Sequence, residues 1–198
     1  MDFSTAWWMS GSSTENPDGP SPGPGPGFEI KNSLRFRGAQ FLRGPANANT
    51  NRGYTFSAWV KQSNLTENQT FIGNTSANAN NAGSYLFNMR SSGTQRLITA
   101  TQQNGQNINT DSNGQFRDPS AWMHIVINAD GTESTNMQLF INGVQDTGFT
   151  GNGVQLMRFQ PLIVGANERN GGTLPGNQFN GYMADVYFID AQVLEPTA

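Results

Sequence analysis

The sequence contains no cysteine, which excludes disulfide scaffolds, zinc–thiolate centres, iron–sulfur clusters and cysteine nucleophiles together. Histidine is nearly absent as well, since His124 is the only one, so the common histidine-rich metal sites are excluded. Charge is scarce. Charged residues make up 13% of the 198, against about 25% in an average globular chain. The net charge of −3 carries no basic footprint, so neither nucleic acid nor membrane insertion is expected. No apolar run approaches the ~18 residues that a membrane span requires. The first residues lack a basic n-region and an apolar h-region, so no Sec signal peptide is expected there. The Asn-x-Thr/Ser triplets at Asn64, Asn68 and Asn74 therefore read as chance matches.

Polarity comes instead from amides, because asparagine and glutamine together number about 38. With 35% hydrophobic residues and 23 glycines, the apolar class still reaches about 47%, an ordinary globular value. A packed core is therefore expected.

Composition divides the chain into three parts. Residues 1–10 hold Phe3, Trp7, Trp8 and Met9 in a stretch too short to form a core. Adjacent tryptophans bury a large amphipathic area when a partner supplies a groove, so these four residues read as a docking peptide. Packing back onto the chain's own domain is the competing reading. Residues 11–27 alternate Pro and Gly with period two, which is a linker and not collagen. From residue 28 to 198 the text is β throughout.

Within that third part, alternating or β-branched runs recur at 33–37, 40–43, 54–61, 70–73, 84–89 and 96–101. Further runs lie at 122–128, 137–142, 161–165 and 180–190. Asn142-Gly143 between two such runs predicts a tight hairpin. The Asn-rich stretches 45–53, 74–83 and 102–115 read as long polar loops. Many short strands with frequent turns predict an all-β sandwich or barrel.

Four segments add a resemblance. Tyr54 to Lys61, Trp122 to Ile127, Leu139 to Val144 and Gly181 to Asp190 resemble, in order, the core strands, hairpin and closing strand of laminin-G-like, concanavalin A-like domains. The resemblance implies a two-sheet antiparallel jelly-roll sandwich. Asn32 to Phe36, Phe116 to Trp122 and the closing strand also resemble virion structural proteins of bacteriophages, marine ones especially. That narrower likeness implies a module on the virion surface, tethered to a major capsid or tail protein by its N-terminus. Capsid decoration is the favoured placement; a tail or fibre component and a free-standing lectin are the alternatives.

This fold class hosts hydrolases as well as lectins, so function must be argued from residues. A glycosidase needs two carboxylates across the scissile bond, and no Asp/Glu pair stands at i,i+2 anywhere. Asp185 and Asp190 share a strand at odd spacing, which places them on opposite faces if the strand is regular. No G-x-S-x-G occurs, and no Ser–Asp constellation is evident around His124, so a non-enzyme is expected. Trp59, Trp122 and His124 read as residues packed within the sandwich. Calcium is the metal this composition permits, with no other cofactor expected. Asn109-x-Asp111-x-Asn113-Gly114 imitates the start of an EF-hand loop, though Ser120 stands where a bidentate Glu is needed. Asp130 and Glu133 form a second metal candidate. Amides in loops suit sugar hydroxyls, and Asn80, Asn81, Asn104, Asn107, Asn167, Arg169 and Asn170 are the glycan-binding candidates for a host-surface polysaccharide. Phe149, Phe159 and Phe179, in loop-like text, are the candidate stacking aromatics.

Overall fold

A computed structural model describes residues 30–46, 53–74, 84–90, 95–103, 106–129, 137–149, 161–168 and 175–196. The docking peptide at 1–10 and the linker at 11–27 lie outside the described residues. The strands are β1 (Leu34–Arg37), β2 (Leu42–Ala46), β3 (Tyr54–Gln62), β4 (Gln69–Asn74), β5 (Ser84–Arg90), β6 (Arg96–Gln103) and β7 (Gln106–Asp111). They continue with β8 (Met123–Ala129), β9 (Met137–Ile141), β10 (Val144–Gln145), β11 (Pro161–Val164), β12 (Asn167–Glu168), β13 (Pro175–Gly176) and β14 (Asn180–Asp190). One antiparallel sheet runs β1-β14-β3-β8-β9-β10 and a second runs β2-β11-β4-β5-β6-β7, with β12 and β13 as a short third pair. The expected all-β sandwich is the observed architecture.

Period two explains the layering. On β3, Tyr54, Phe56, Ala58 and Val60 belong to the core, and on β8 Met123, Ile125, Ile127 and Ala129 do the same. Phe71 and Leu97 enter that core from the second sheet. Phe36 and Phe71 each meet Phe179 edge to face, with ring centroids 5.6 and 5.3 Å apart. Gly165, at φ +85°, permits this cluster, because a Cβ there would sit 2.5 Å from the Phe36 ring. The Phe179 N–H donates to the Gly165 carbonyl at 2.8 Å. Asn142 and Gly143 adopt φ of 51° and 80°, the paired positive values of the hairpin turn expected there.

Two expectations need correction. The stretch 102–115 is not a long loop: β6 runs to Gln103 and pairs with β7 through Thr101↔Ile108 and Gln102↔Asn107. β7 ends the order of its sheet, and an edge strand needs backbone pairing on one side more than apolar side chains. The closing strand is also not regular. Its register with β3 shifts between Ala184 and Tyr187, and Asp185 there has φ +45°.

Candidate ligand-binding face

The residues of β3 and β8 that do not enter the core line the outer face of the first sheet. Thr55, Ser57, Trp59 and Lys61 alternate with the β3 core residues. Register sets their neighbours: Trp59 lies opposite Ala184 and His124, Ser57 opposite Tyr187 and Val126, and Lys61 opposite Tyr182. Tyr182 in turn lies opposite Arg35 of β1.

At one end the chain covers its own face. The Thr55 hydroxyl donates to the Gln192 carbonyl at 2.9 Å and accepts from the Leu194 N–H at 2.8 Å. Asn128 Nδ2 donates to the Leu194 carbonyl at 3.1 Å. Residues 192–194 thus lie across β3 and β8 beside Thr55 and Asn128. At the other end Trp122, His124 and Tyr182 are half-buried and Asp185 is exposed.

At this second end, Trp59 is buried (4% exposed) although it faces outward, because His124 stacks on it at 4.8 Å and 23°. His124 Nε2 and the Ser57 hydroxyl lie 3.0 Å apart. Burial of the imidazole pushes its pKa below the usual histidine value, and the Asp185 carboxylate opposes this in part. A Ser–His contact with an aspartate nearby therefore exists where the sequence showed none, because the three residues come from three different strands. Next to this stack, Trp122 and Tyr182 approach to 6.4 Å with their rings tilted by 58°, and both are half-buried. The Arg35 guanidinium lies 4.5 Å from the Tyr182 centroid and donates to Ser63 Oγ at 2.8 Å and Asn180 Oδ1 at 3.4 Å. Asp118, on the loop before Trp122, accepts from the Ser120 hydroxyl and N–H at 2.5 and 2.8 Å. Those bonds hold its carboxyl below the usual aspartate range, with Lys61 contributing attraction.

Most of the candidates named from sequence fall outside the described residues. Phe3, Trp7, Trp8 and Met9 lie outside the described residues, as do Asn80, Asn81, Asn104, Arg169 and Asn170. Asn107 pairs in β7 and Asn167 in β12, on different sheets. Of the stacking candidates, Phe149 (4%) and Phe179 (0%) are buried core residues, and Phe159 lies outside the described residues. Both were misread because loop-like text hides an inward-facing side chain.

Asp130 and Glu133 also lie outside the described residues. The EF-hand-like segment is a strand end followed by a braced turn: Asp111 closes β7, and the Asn113 and Gly114 N–H groups donate to Asp146 Oδ2 at 2.8 and 3.4 Å. Asp146 Oδ1 accepts from the Gly148 N–H at 3.1 Å. Among the described residues no group of three or more His, Asp or Glu side chains is placed to hold a metal ion. Sequence reasoning missed Arg35, Ser57, Tyr182 and Asp146; the alternation Ser57-x-Trp59-x-Lys61 was the available signal for the outer face.

Solved structures share this fold at low identity. Domain 4 of an extracellular arabinanase from Geobacillus stearothermophilus, solved with arabinotriose, matches at TM-score 0.60 and 17% identity, covering 84% of this chain and 74% of that one. The CBM40 domain of the Ruminococcus gnavus IT-sialidase, bound to α2,3 sialyllactose, matches at TM-score 0.57 and 14% identity, covering 83% and 91%. The enzymatically active domain of tailspike protein 2 of bacteriophage CBA120 matches at TM-score 0.53 and 17% identity, covering 77% of this chain and 24% of that one. No curated protein matches the chain. A laminin G family model, described as the concanavalin A-like lectin/glucanases superfamily, matches residues 36–197, and the chain belongs to that superfamily.

Proposed function

We propose that this chain is a non-enzymatic, carbohydrate-binding module of a phage virion, tethered by its N-terminal peptide to a capsid or tail protein. The observation that carries the reading is the outer face of the first sheet, where half-buried Trp122 and Tyr182 stand among polar side chains. Apolar rings beside fixed hydrogen-bonding groups suit the mixed C–H and hydroxyl surface of a sugar. The glycan complexes of the arabinanase domain and the sialidase module support a sugar as ligand. The phage tailspike supports a virion setting, and the Trp-Trp peptide on its Pro/Gly spacer supports a tether. Decoration of the head is the favoured setting in this proposal, with a tail or fibre component as the alternative.

Chemistry supports binding without turnover. Ser120 pushes the Asp118 carboxyl below the usual aspartate range, the opposite direction from the raised pKa of a proton-donating glycosidase carboxyl. Asp185 acts on His124 through its charge, yet makes no hydrogen bond to the ring that would orient it as a catalytic triad requires. The protein is expected to retain host-surface polysaccharide on a glycan array while releasing no new reducing ends or acyl groups from it. Release of either, abolished by Ser57→Ala or Asp118→Asn, would replace the binding module with a hydrolase. A copy-number census of purified particles tests the virion setting.

A further inference from the structure

We infer that the half of this face beyond residues 192–194 reads an uncharged sugar, with Trp122 and Tyr182 as the stacking platform and the Asp185 carboxylate as the acceptor of its hydroxyls. The inference rests on the carbohydrate-binding reading above and adds to it a place and a ligand class.

Asp185 is placed for this by the bulge in β14. Met183 belongs to the core and Val186 packs against it, so the two residues between them, Ala184 and Asp185, both emerge on the outer side. Asp185 takes a positive φ of 45° in mid-strand, a left-handed conformation that aspartate and asparagine accept more readily than other non-glycine residues. The result is an exposed carboxylate beside the Trp59–His124 stack, close enough for its charge to act on the imidazole. It makes no hydrogen bond among the described residues, so its acceptor sites are open. Tyr182 stands three residues earlier on the same strand, roughly 10 Å away at the usual strand rise. Platform and acceptor are therefore a short saccharide apart.

Charge selects the class. Arg35 is engaged by the Tyr182 ring, Ser63 and Asn180, whereas Lys61, opposite Tyr182 in the register, only attracts the Asp118 carboxylate through its charge. At the acceptor position itself the exposed Asp185 carboxylate repels a sugar carboxylate or sulfate. Hydroxyls donate to a carboxylate readily, and charge-assisted bonds of that kind are the stronger ones.

The test titrates the full chain with arabinotriose, cellotriose and sialyllactose by calorimetry. One of the neutral trisaccharides is expected to bind and sialyllactose to bind more weakly. Trp122→Ala should weaken the neutral ligand about 30-fold or more, with Trp122→Phe restoring most of it. Asp185→Asn should weaken it about 10-fold at an unchanged melting temperature, because asparagine tolerates the left-handed conformation. Neutral-sugar binding that survives both Trp122→Ala and Asp185→Asn overturns this placement and leaves the binding module standing. Preference for sialyllactose overturns the ligand class, and failure of all three sugars, together with an empty glycan array, overturns the parent reading as well.

Discussion

His124 is the only histidine in the chain, so its imidazole gives a single, unambiguous set of resonances in a titration followed by nuclear magnetic resonance. Desolvation beneath the stack with Trp59 lowers its pKa from the usual 6.5, and Asp185 partly opposes the shift. The unfolded chain therefore binds this proton at a higher pH than the folded chain does. As pH falls below about 6.5 toward the depressed folded value, the unfolded state holds the extra proton and stability declines. Thermal melts between pH 7 and 5 should show that decline, and His124→Gln should flatten it. Asp185→Asn removes the opposing charge, so the His124 midpoint should move lower still. A midpoint at or above 6.5 in the unmodified protein would mean that the imidazole is not desolvated by the Trp59 stack. Ser57, 3.0 Å from Nε2, meets the same ring from β3, and no spacing in the sequence announces that contact.

At the scale of elements, Asp146 joins two connections that are distant in sequence. One carboxylate receives N–H groups from Asn113 and Gly114 after β7 and from Gly148 after β10. Asp146→Ala leaves those donors to water and should cost about 2 kcal/mol, read as a lower denaturation midpoint at unchanged m-value. Asp146→Asn, which keeps an acceptor oxygen, should lose less. The same contacts show why sequence reading succeeded for strands and faltered for sites. Period-two burial made β3, β8 and β14 legible, since Phe56, Ile125 and Met183 had to face inward. Asn142-Gly143 was legible because few residue pairs accept two positive φ values. The β14 bulge was not, because one extra residue leaves the composition of the strand unchanged while re-aiming Asp185. The face itself depends on register: Arg35, Lys61, Tyr182 and Trp122 become neighbours only once β1, β14, β3 and β8 are aligned. Of the amide candidates, only Asn107 and Asn167 fall among the described residues. Asn107 and Asn167 are plausible by type, and the topology places them on separate sheets.

For the molecule as a whole, the proposal separates an anchor from a folded domain, and the two halves make independent forecasts. A sandwich of roughly 170 residues buries close to 70% of its unfolded surface, enough to fold alone, so residues 28–198 are expected to express as a β-rich monomer. Its circular dichroism should lack a dominant helical signal. The anchor forecast concerns Phe3, Trp7 and Trp8. Truncating a hot-spot tryptophan to alanine typically costs at least 2 kcal/mol, about a 30-fold weakening, and two in one groove cost more without strict additivity. If residues 11–27 act as the proposed spacer, that loss should not reach the sandwich. Particles carrying Trp7→Ala/Trp8→Ala should therefore lose this protein, while the isolated variant melts where the parent does. Self-packing of the peptide on its own domain forecasts the reverse, a lowered melting temperature with incorporation falling only as a consequence. Measuring occupancy per particle and melting on the same variant separates the two. Full occupancy with a lowered melting point would remove the anchor and leave a module held on the particle through its folded domain as the better account of the chain.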